Sequence, residues 1–374
     1  MEILFIHMPK KIFFTVLAAL LMLLFLEAGA WIVSCYFEER GVVYVTSKIT
    51  PEEYKNYLMI SDPVLGWSSP PREDLSFPSP DKSPACVSLY GDSFVAGNRI
   101  AQWCWSNLLS RLLSCRVANY GVGAYGTDQA YLRFRNNRDD TAHIVILGFV
   151  SENILRNINR YRDFLYSGQP WSKFNLKPRF VLNAQGELIL IPLPEFSYGE
   201  FLREIDSPTA ALKGEYFLPG GESGIFRCKF PYTLTVIKVW LRNFHIRAKL
   251  KGFPMYAEFY APGHPSGALG VSFAIIKQFC QEAKAAGRRP VILVMPTCLD
   301  FKYYQKHGDW AYANITTLLK NENIEFLDAG EKMERYLQGR NPLEIFETSG
   351  HFNREGENLL ANIVYQYLKE NALF

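Results

Sequence analysis

"CVSLYGDSFVAG", residues 86–97, decides the architecture. An apolar run through Val87 and Tyr90 gives way at Gly91-Asp92-Ser93 to a turn. "NRIAQWCWSNLLSRLLS" (98–114) follows, with its apolar residues at helical spacing. The alternation continues with "RVANYG" as a strand, "TDQAYLRFRNNRDD" as a helix and "HIVILGF" as a strand. Short apolar strands set between amphipathic helices point to a parallel sheet covered on both faces.

The same rhythm returns after residue 265: helix "ALGVSFAIIKQFCQEAKAAG", strand "RPVILVMPT", helix "WAYANITTLLKN", strand "IEFLDAG" and a last helix "REGENLLANIVYQYLKE". The expectation is a three-layer α/β/α domain with roughly five parallel strands, its first part at 85–159 and its second at 265–374. Residues 160–264 differ in texture, being rich in aromatic residues. There "RFVLNAQGELILIPLP" reads as a hairpin turning at Asn183-Ala184-Gln185-Gly186, and "LTVIKVWLRNFHIRAKL" supplies a helix. This stretch is expected to be an inserted cap on the α/β core.

Composition supports a filled core, with 48% hydrophobic and 15% aromatic residues in 374. Forty Lys+Arg against 37 Asp+Glu, without a dense basic stripe, argue against nucleic acid as a partner. The seven cysteines form no CxxC pair and no Cys/His cluster at zinc spacing, so no metal site is expected. Their odd number weakens a disulfide framework while leaving room for one or two bridges outside the cytosol.

Residues 12–37, "IFFTVLAALLMLLFLEAGAWIVSCYF", are apolar apart from Glu27 and exceed the ~20 residues a bilayer requires. "MPKK" precedes them, so residues 1–11 are expected in the cytoplasm and the remainder outside the membrane, in the periplasm or at the cell exterior. A cleaved signal segment ending at Ala28-Gly29-Ala30, or lipidation at Cys35, would export the domain equally well. Residues 38–84 end in the Pro- and Ser-rich "SSPPREDLSFPSPDKSP" and read as an extended stalk.

Three stretches fall at the C-terminal ends of expected strands, where open parallel sheets bind ligands. Ser93 sits where strand turns to helix, a place for a nucleophile if a base can reach it, although Gly-Asp-Ser is equally a strand-ending turn with a cap. Gly121-Val122-Gly123-Ala124-Tyr125-Gly126 formally matches a dinucleotide fingerprint. It follows the second strand rather than the first, and a nicotinamide cofactor would be scarce outside the cytoplasm, so the better reading is a turn that aims a backbone N–H at a developing oxyanion. Asn153, in "GFVSEN", can point its amide at the same place, and His351, in "ETSGHFNREG", is the candidate base ahead of the last helix.

In order, "LYGDSFVAG", "NYGVGAYGTDQAYLRF", "VILGFVSEN" and "SGHFNREGENLLA" resemble the four signature blocks of the SGNH/GDSL hydrolase superfamily. The resemblance covers about 85–155 and 266–370 and implies a flavodoxin-like fold, no cofactor, and ester chemistry on acylated carbohydrates, lipids or similar compounds. It implies Ser93 as nucleophile with Asp92 beside it. The oxyanion donors it implies are the Ser93 N–H, the backbone of Ala124 with Gly123 adjacent, and the Asn153 amide. His351 is the implied base. The family's usual aspartate, two or three residues before the histidine, is replaced by Ser349 and Thr348. Glu347 is then the candidate acid, with a Ser-His dyad as the alternative, and Thr348 or a backbone carbonyl as an uncharged orienter. The expected function is a membrane-anchored serine esterase. An O-acyltransferase using the same residues and a non-catalytic glycan-binding or assembly protein are the alternatives.

Overall fold

The structure, a computed structural model, describes residues 10–69, 84–98 and 100–373. Apart from Lys10 and Lys11, the expected cytoplasmic N-terminus (1–11) lies outside the described residues, and so does the Pro- and Ser-rich part of the expected stalk, 70–83.

Seven strands occur among the described residues: β1 (Val87–Tyr90), β2 (Val117–Asn119), β3 (Ile144–Val150), β4 (Arg179–Leu182), β5 (Leu188–Ile191), β6 (Arg289–Met295) and β7 (Phe326–Asp328). Five of them form one parallel sheet in the order β2-β1-β3-β6-β7. Counted within that sheet the order is 2-1-3-4-5, the flavodoxin-like winding, whose ligand crevice lies beyond the strand ends where the order reverses, between β1 and β3. All seven residues of β3 are buried, which fits a run of Ile, Val, Leu and Phe covered on both faces. Each such side chain contributes about 1.5–3 kcal/mol on burial.

Helices α1 (Lys10–Glu39) and α2 (Pro51–Ile60) precede the sheet. The four-residue α3 (Ser93–Ala96) follows β1 and leads to α4 (Trp105–Leu113); α5 (Thr127–Asn136) follows β2. Two short helices, α6 (Asn153–Arg156) and α7 (Arg162–Leu165), follow β3. Residues 166–264 carry α8 (Tyr198–Asp206), α9 (Tyr232–Arg242) and α10 (Phe244–Lys251), and α11 (Ala268–Ala285), α12 (Cys298–His307), α13 (Ala313–Asn321), α14 (Ala329–Leu337) and α15 (Arg354–Glu370) follow. Helices α4, α14 and α15 pack together on one face of the sheet; α5, α11 and α13 cover the other.

Within residues 265–374, two helices go beyond the sequence expectation. Helix α12 starts directly after β6 because Thr297 and Asp300 form a capping box, and α14 starts directly after β7 because Asp328 accepts from the Gly330 and Glu331 amides. The expected hairpin at 179–191 is present, with Asn183 Oδ1 accepting the Gln185 and Glu187 amides across the turn. The single helix expected in "LTVIKVWLRNFHIRAKL" is instead two. Asn243 breaks it, capping α10 while its side-chain amide donates to the Val42 and Gly224 carbonyls.

Residues 43–67 also depart from the extended stalk expected over 38–84. Tyr44, Ile49, Tyr54 and Leu65 are buried in the same core as the sheet. Thr50, Pro51 and Glu53 build a capped start for α2, and the Tyr44 and Tyr54 hydroxyls donate to the carbonyls of Ile205 and Phe196. This segment is a packed strap against the chain around Phe196 and Ile205. Cys86 and Cys115 stand just ahead of β1 and β2, which run side by side, and form a disulfide with Cα atoms 6.2 Å apart.

Candidate active site

The turn after β1 is pressed onto the sheet. A Cβ at Gly91 or at Gly148 of β3 would collide with the Val95 side chain of α3, and one at Gly121 would collide with the Ala96 backbone nitrogen. Glycine at these positions lets the Gly-Asp-Ser turn and the loop after β2 approach backbone to backbone. Asp92 is fully buried and caps α3: Oδ1 accepts the Phe94 N–H at 2.9 Å, and Oδ2 accepts from Arg156 Nη1 at 3.0 Å. Burial pushes the Asp92 carboxyl above its ordinary range, while the Arg156 guanidinium beside it acts the other way. Ser93 is thereby fixed as the first residue of α3, at the crevice end of the sheet.

His351 Nε2 lies 2.8 Å from Ser93 Oγ, although 258 residues separate the two in sequence. Phe94 packs against the imidazole, with ring centres 5.0 Å apart. On the far side of the ring, Nδ1 is 3.4 Å from Ser349 Oγ, which is in turn 3.3 Å from Glu347 Oε2. The turn carrying them is closed by the Glu347 amide donating to the His351 carbonyl and the Gly350 amide donating to Glu347. Glu347 therefore faces the histidine through the Ser349 hydroxyl, and its other oxygen receives Asn98 Nδ2 at 3.5 Å. Thr348 makes no side-chain hydrogen bond among the described residues, and Glu344 is engaged by Arg340 at 2.9 Å. Ser349, one of the two residues standing where the acid is usually found, is the direct neighbour of the ring.

The loop after β2 is held from behind. Trp67 Nε1 donates to the Gly123 carbonyl at 3.0 Å, and Arg162 Nε and Nη2 donate to the Ala124 carbonyl at 3.2 and 3.0 Å. Ala124 has φ +63°, a conformation that costs a non-glycine residue about 1 kcal/mol or more and that this clamp sustains. With both carbonyls bound, the Gly123 and Ala124 amide N–H groups meet no acceptor among the described residues. Asn153 opens α6 and is fully buried, yet neither atom of its amide has a partner. An orphaned amide costs about 1–3 kcal/mol and asks for an explanation such as a ligand oxygen. Sequence reasoning singled out Ser93, Gly123, Ala124, Asn153 and His351 and missed Trp67 and Arg162.

Two clefts meet at the pair. One, of about 530 Å³, runs between Ala96, Gly97, Asn98 and Ile100 on one side and Glu347, Ser349, His351 and Phe352 on the other. The other, of about 800 Å³, is walled by Trp67, Trp171, Asn175, Met255, Tyr256 and Leu299. Ser93, Phe94, Gly123, Ser349 and His351 line both. Residues between 160 and 264 thus supply a wall of the larger cleft, and Glu152 and Arg156 lie on its floor, joined to each other at 3.4 Å and, through Glu152, to the Tyr166 hydroxyl. Behind the Tyr256 wall, Asp300 accepts from Ser151 Oγ and the Thr297 amide, and burial pushes its carboxyl up to about 6. Among the described residues no group of three or more His, Cys, Asp or Glu side chains is placed to hold a metal ion.

The chain resembles solved structures of G-D-S-L-family lipolytic proteins and acetylxylan esterases. An acetylxylan esterase from Geobacillus stearothermophilus is 12% identical, with 77% of this chain and 94% of that chain covered and a TM-score of 0.38. A protein described as lipolytic and of the G-D-S-L family, from Desulfitobacterium hafniense DCB-2, is also 12% identical, with 75% and 97% covered and a TM-score of 0.33. An alpha/beta hydrolase enzyme from the metagenome of Lake Arreo, Spain, gives 12%, 76%, 94% and 0.38 for the same quantities. No family model matches the sequence, and no curated protein does.

Proposed function

We propose that this chain is a serine esterase of the SGNH/GDSL superfamily, anchored by α1 with its α/β domain outside the cytoplasm. The observation that carries the reading is the 2.8 Å contact of His351 Nε2 with Ser93 Oγ at the crevice end of a parallel sheet. Ser93 Oγ attacks an ester carbonyl as His351 Nε2 takes its proton. The developing oxyanion meets the N–H groups of Ser93 and Ala124, with Gly123 adjacent, and the Asn153 amide. Collapse of the tetrahedral intermediate expels the alcohol, which receives the proton from His351 and leaves the acyl group on Ser93. Water, deprotonated by the same nitrogen, then releases the acid. Glu347 supports the imidazolium through Ser349 rather than by direct contact. O-acyl groups of a glycan, lipid or similar compound are the proposed substrates.

The meeting of two clefts at one Ser-His pair favours a second reading, O-acyl transfer, with donor and acceptor on opposite sides and an acceptor hydroxyl replacing water. The test is fluorophosphonate labelling of the full chain, with turnover of p-nitrophenyl acetate and of acetylated xylan, for wild type, Ser93→Ala and His351→Ala. Labelling and turnover that disappear in both variants are expected. Absence of labelling together with Ser93-independent rates would reject both readings and leave the non-catalytic one. Acetyl transfer to an added saccharide in excess of acid release would select the transferase.

A further inference from the structure

Helix α9 carries an apolar face that nothing among the described residues covers. Phe230, just ahead of it, and Leu234, Ile237, Trp240 and Leu241 are between 53% and 75% exposed. At 100° per residue the four in the helix, Leu234, Ile237, Trp240 and Leu241, fall within one stripe about 120° wide. The opposite face, with Thr235 and Val239, is buried. A contiguous exposed stripe of this kind marks a contact site rather than scattered surface residues.

The neighbour of α9 identifies what covers the stripe. α9 packs along the outer half of α1, where Phe37, Val43, Val239 and Ile246 form a small apolar cluster. The first amides of α9, from Tyr232 and Thr233, donate to Glu27 in the middle of α1, as does the Thr233 hydroxyl. Residues 12–26 of α1 are apolar apart from Thr15 and exposed on all sides. Counting the roughly 20 residues that cross a bilayer from Ile12 reaches Trp31, an aromatic residue of the type that marks the membrane interface. Glu27 lies one helical turn deeper, roughly 6 Å below that level. The start of α9 is held there, at the depth of an interfacial helix, about 5–10 Å. The free N–H groups of its first turn satisfy the one carboxylate that interrupts the span. Exposed Lys229, Lys238 and Arg242 flank the stripe and suit anionic headgroups.

We infer that α9 is a second membrane-contacting element, lying beside α1 with Phe230, Leu234, Ile237, Trp240 and Leu241 in the outer headgroup and acyl region. The occupant of the stripe is lipid. The inference does not depend on the esterase reading.

The full chain, carrying p-benzoylphenylalanine in place of Ile237 or Leu241, is reconstituted in vesicles of phosphatidylethanolamine and phosphatidylglycerol and irradiated. Phe25 in α1 serves as the lipid-facing reference and the exposed Leu343 as the water-facing one. Lipid adducts at positions 237 and 241 within about threefold of position 25, and at least about tenfold above position 343, are expected. Adducts at the position 343 level overturn the inference. So does a predominance of crosslinked chain dimers, which would make the stripe a self-association face. Loss of lipid adducts at position 25 as well would mean that α1 does not reside in the membrane, and also overturns it.

Discussion

Replacing Glu347 by Gln tests how the histidine is supported. In a serine protease with a buried acid touching the ring, the amide replacement costs about 10⁴ in rate. Here the carboxylate and Nδ1 are separated by the Ser349 hydroxyl, at 3.3 and 3.4 Å, and Glu347 and Ser349 are both exposed. Two successive hydrogen-bond lengths put the charges roughly 6 Å apart. At an effective dielectric between about 20 and 80, a carboxylate at that distance stabilises an imidazolium by about 1–2 kcal/mol in mid-range. That corresponds to a loss of about five- to thirtyfold in kcat/KM. Because the groups face solvent, the loss should shrink as salt rises and the screening length falls below about 10 Å. Ser349→Ala should cost about as much, and the double variant little more than either single one, since both changes break the same relay. The assay is kcat/KM on p-nitrophenyl acetate at 20 mM and 500 mM NaCl. A rate unchanged in Glu347→Gln would reduce the site to a Ser-His dyad. A loss near 10⁴ would show that the carboxylate swings into direct contact during turnover, and either result refutes the relay.

Three further outcomes follow from the geometry. Arg162→Lys keeps the charge but not the fork that holds the Ala124 carbonyl, so kcat should fall about tenfold or more with KM little changed; equal changes in both would argue against a role at the oxyanion. Opening the Cys86–Cys115 bridge, which spans 29 residues, should lower unfolding free energy by about 3–4 kcal/mol on loop-closure grounds, read by urea denaturation of the Cys86→Ala/Cys115→Ala variant. Burial raises the Asp300 carboxyl to about 6 from an ordinary 3.8, so its favourable contribution is complete below pH 3.8 and is lost as pH rises through about 6. Asp300→Asn should remove about 2–3 kcal/mol of that decline, seen as a flatter Tm between pH 4 and 7; an unchanged slope would place the titration elsewhere.

The sheet was legible because β3 and residues 291–295 of β6 are dense runs of large apolar residues, and because α15 carries both a cap at Asn353 and a clear helical period. Helix α12, "CLDFKYYQKH", has its apolar residues spread around the helix rather than on one face, so it shows no period, and its evidence lies in the Thr297–Asp300 capping box. The Thr-Pro-Glu-Glu start of α2 was a comparable signal, masked by the Pro- and Ser-rich stretch that follows it. The strap at 43–67 attaches through isolated residues, Tyr44, Tyr54 and Leu65, which no periodicity can reveal. Ser93 and His351 were readable as turns beside strand and helix ends. Ser349 as the ring's neighbour depends on the shape of a five-residue turn, and Arg162 reaches Ala124 across 38 residues, so neither left a local mark. The cysteine pairing was equally silent, because Cys86 and Cys115 meet only once β1 and β2 lie alongside each other.

Val95 rests on Gly91 and Gly148 with no compressible layer between them, and Met295 of β6 reaches the same point on Gly148. The position of the Ser93 hydroxyl is therefore a readout of sheet packing. A volume change at Met295 or Val95 would be transmitted to the serine as displacement, not absorbed as local rearrangement. Variants in this part of the interior can thus keep a cooperative fold while the spacing between serine and histidine drifts, so activity would register core damage before thermal denaturation does.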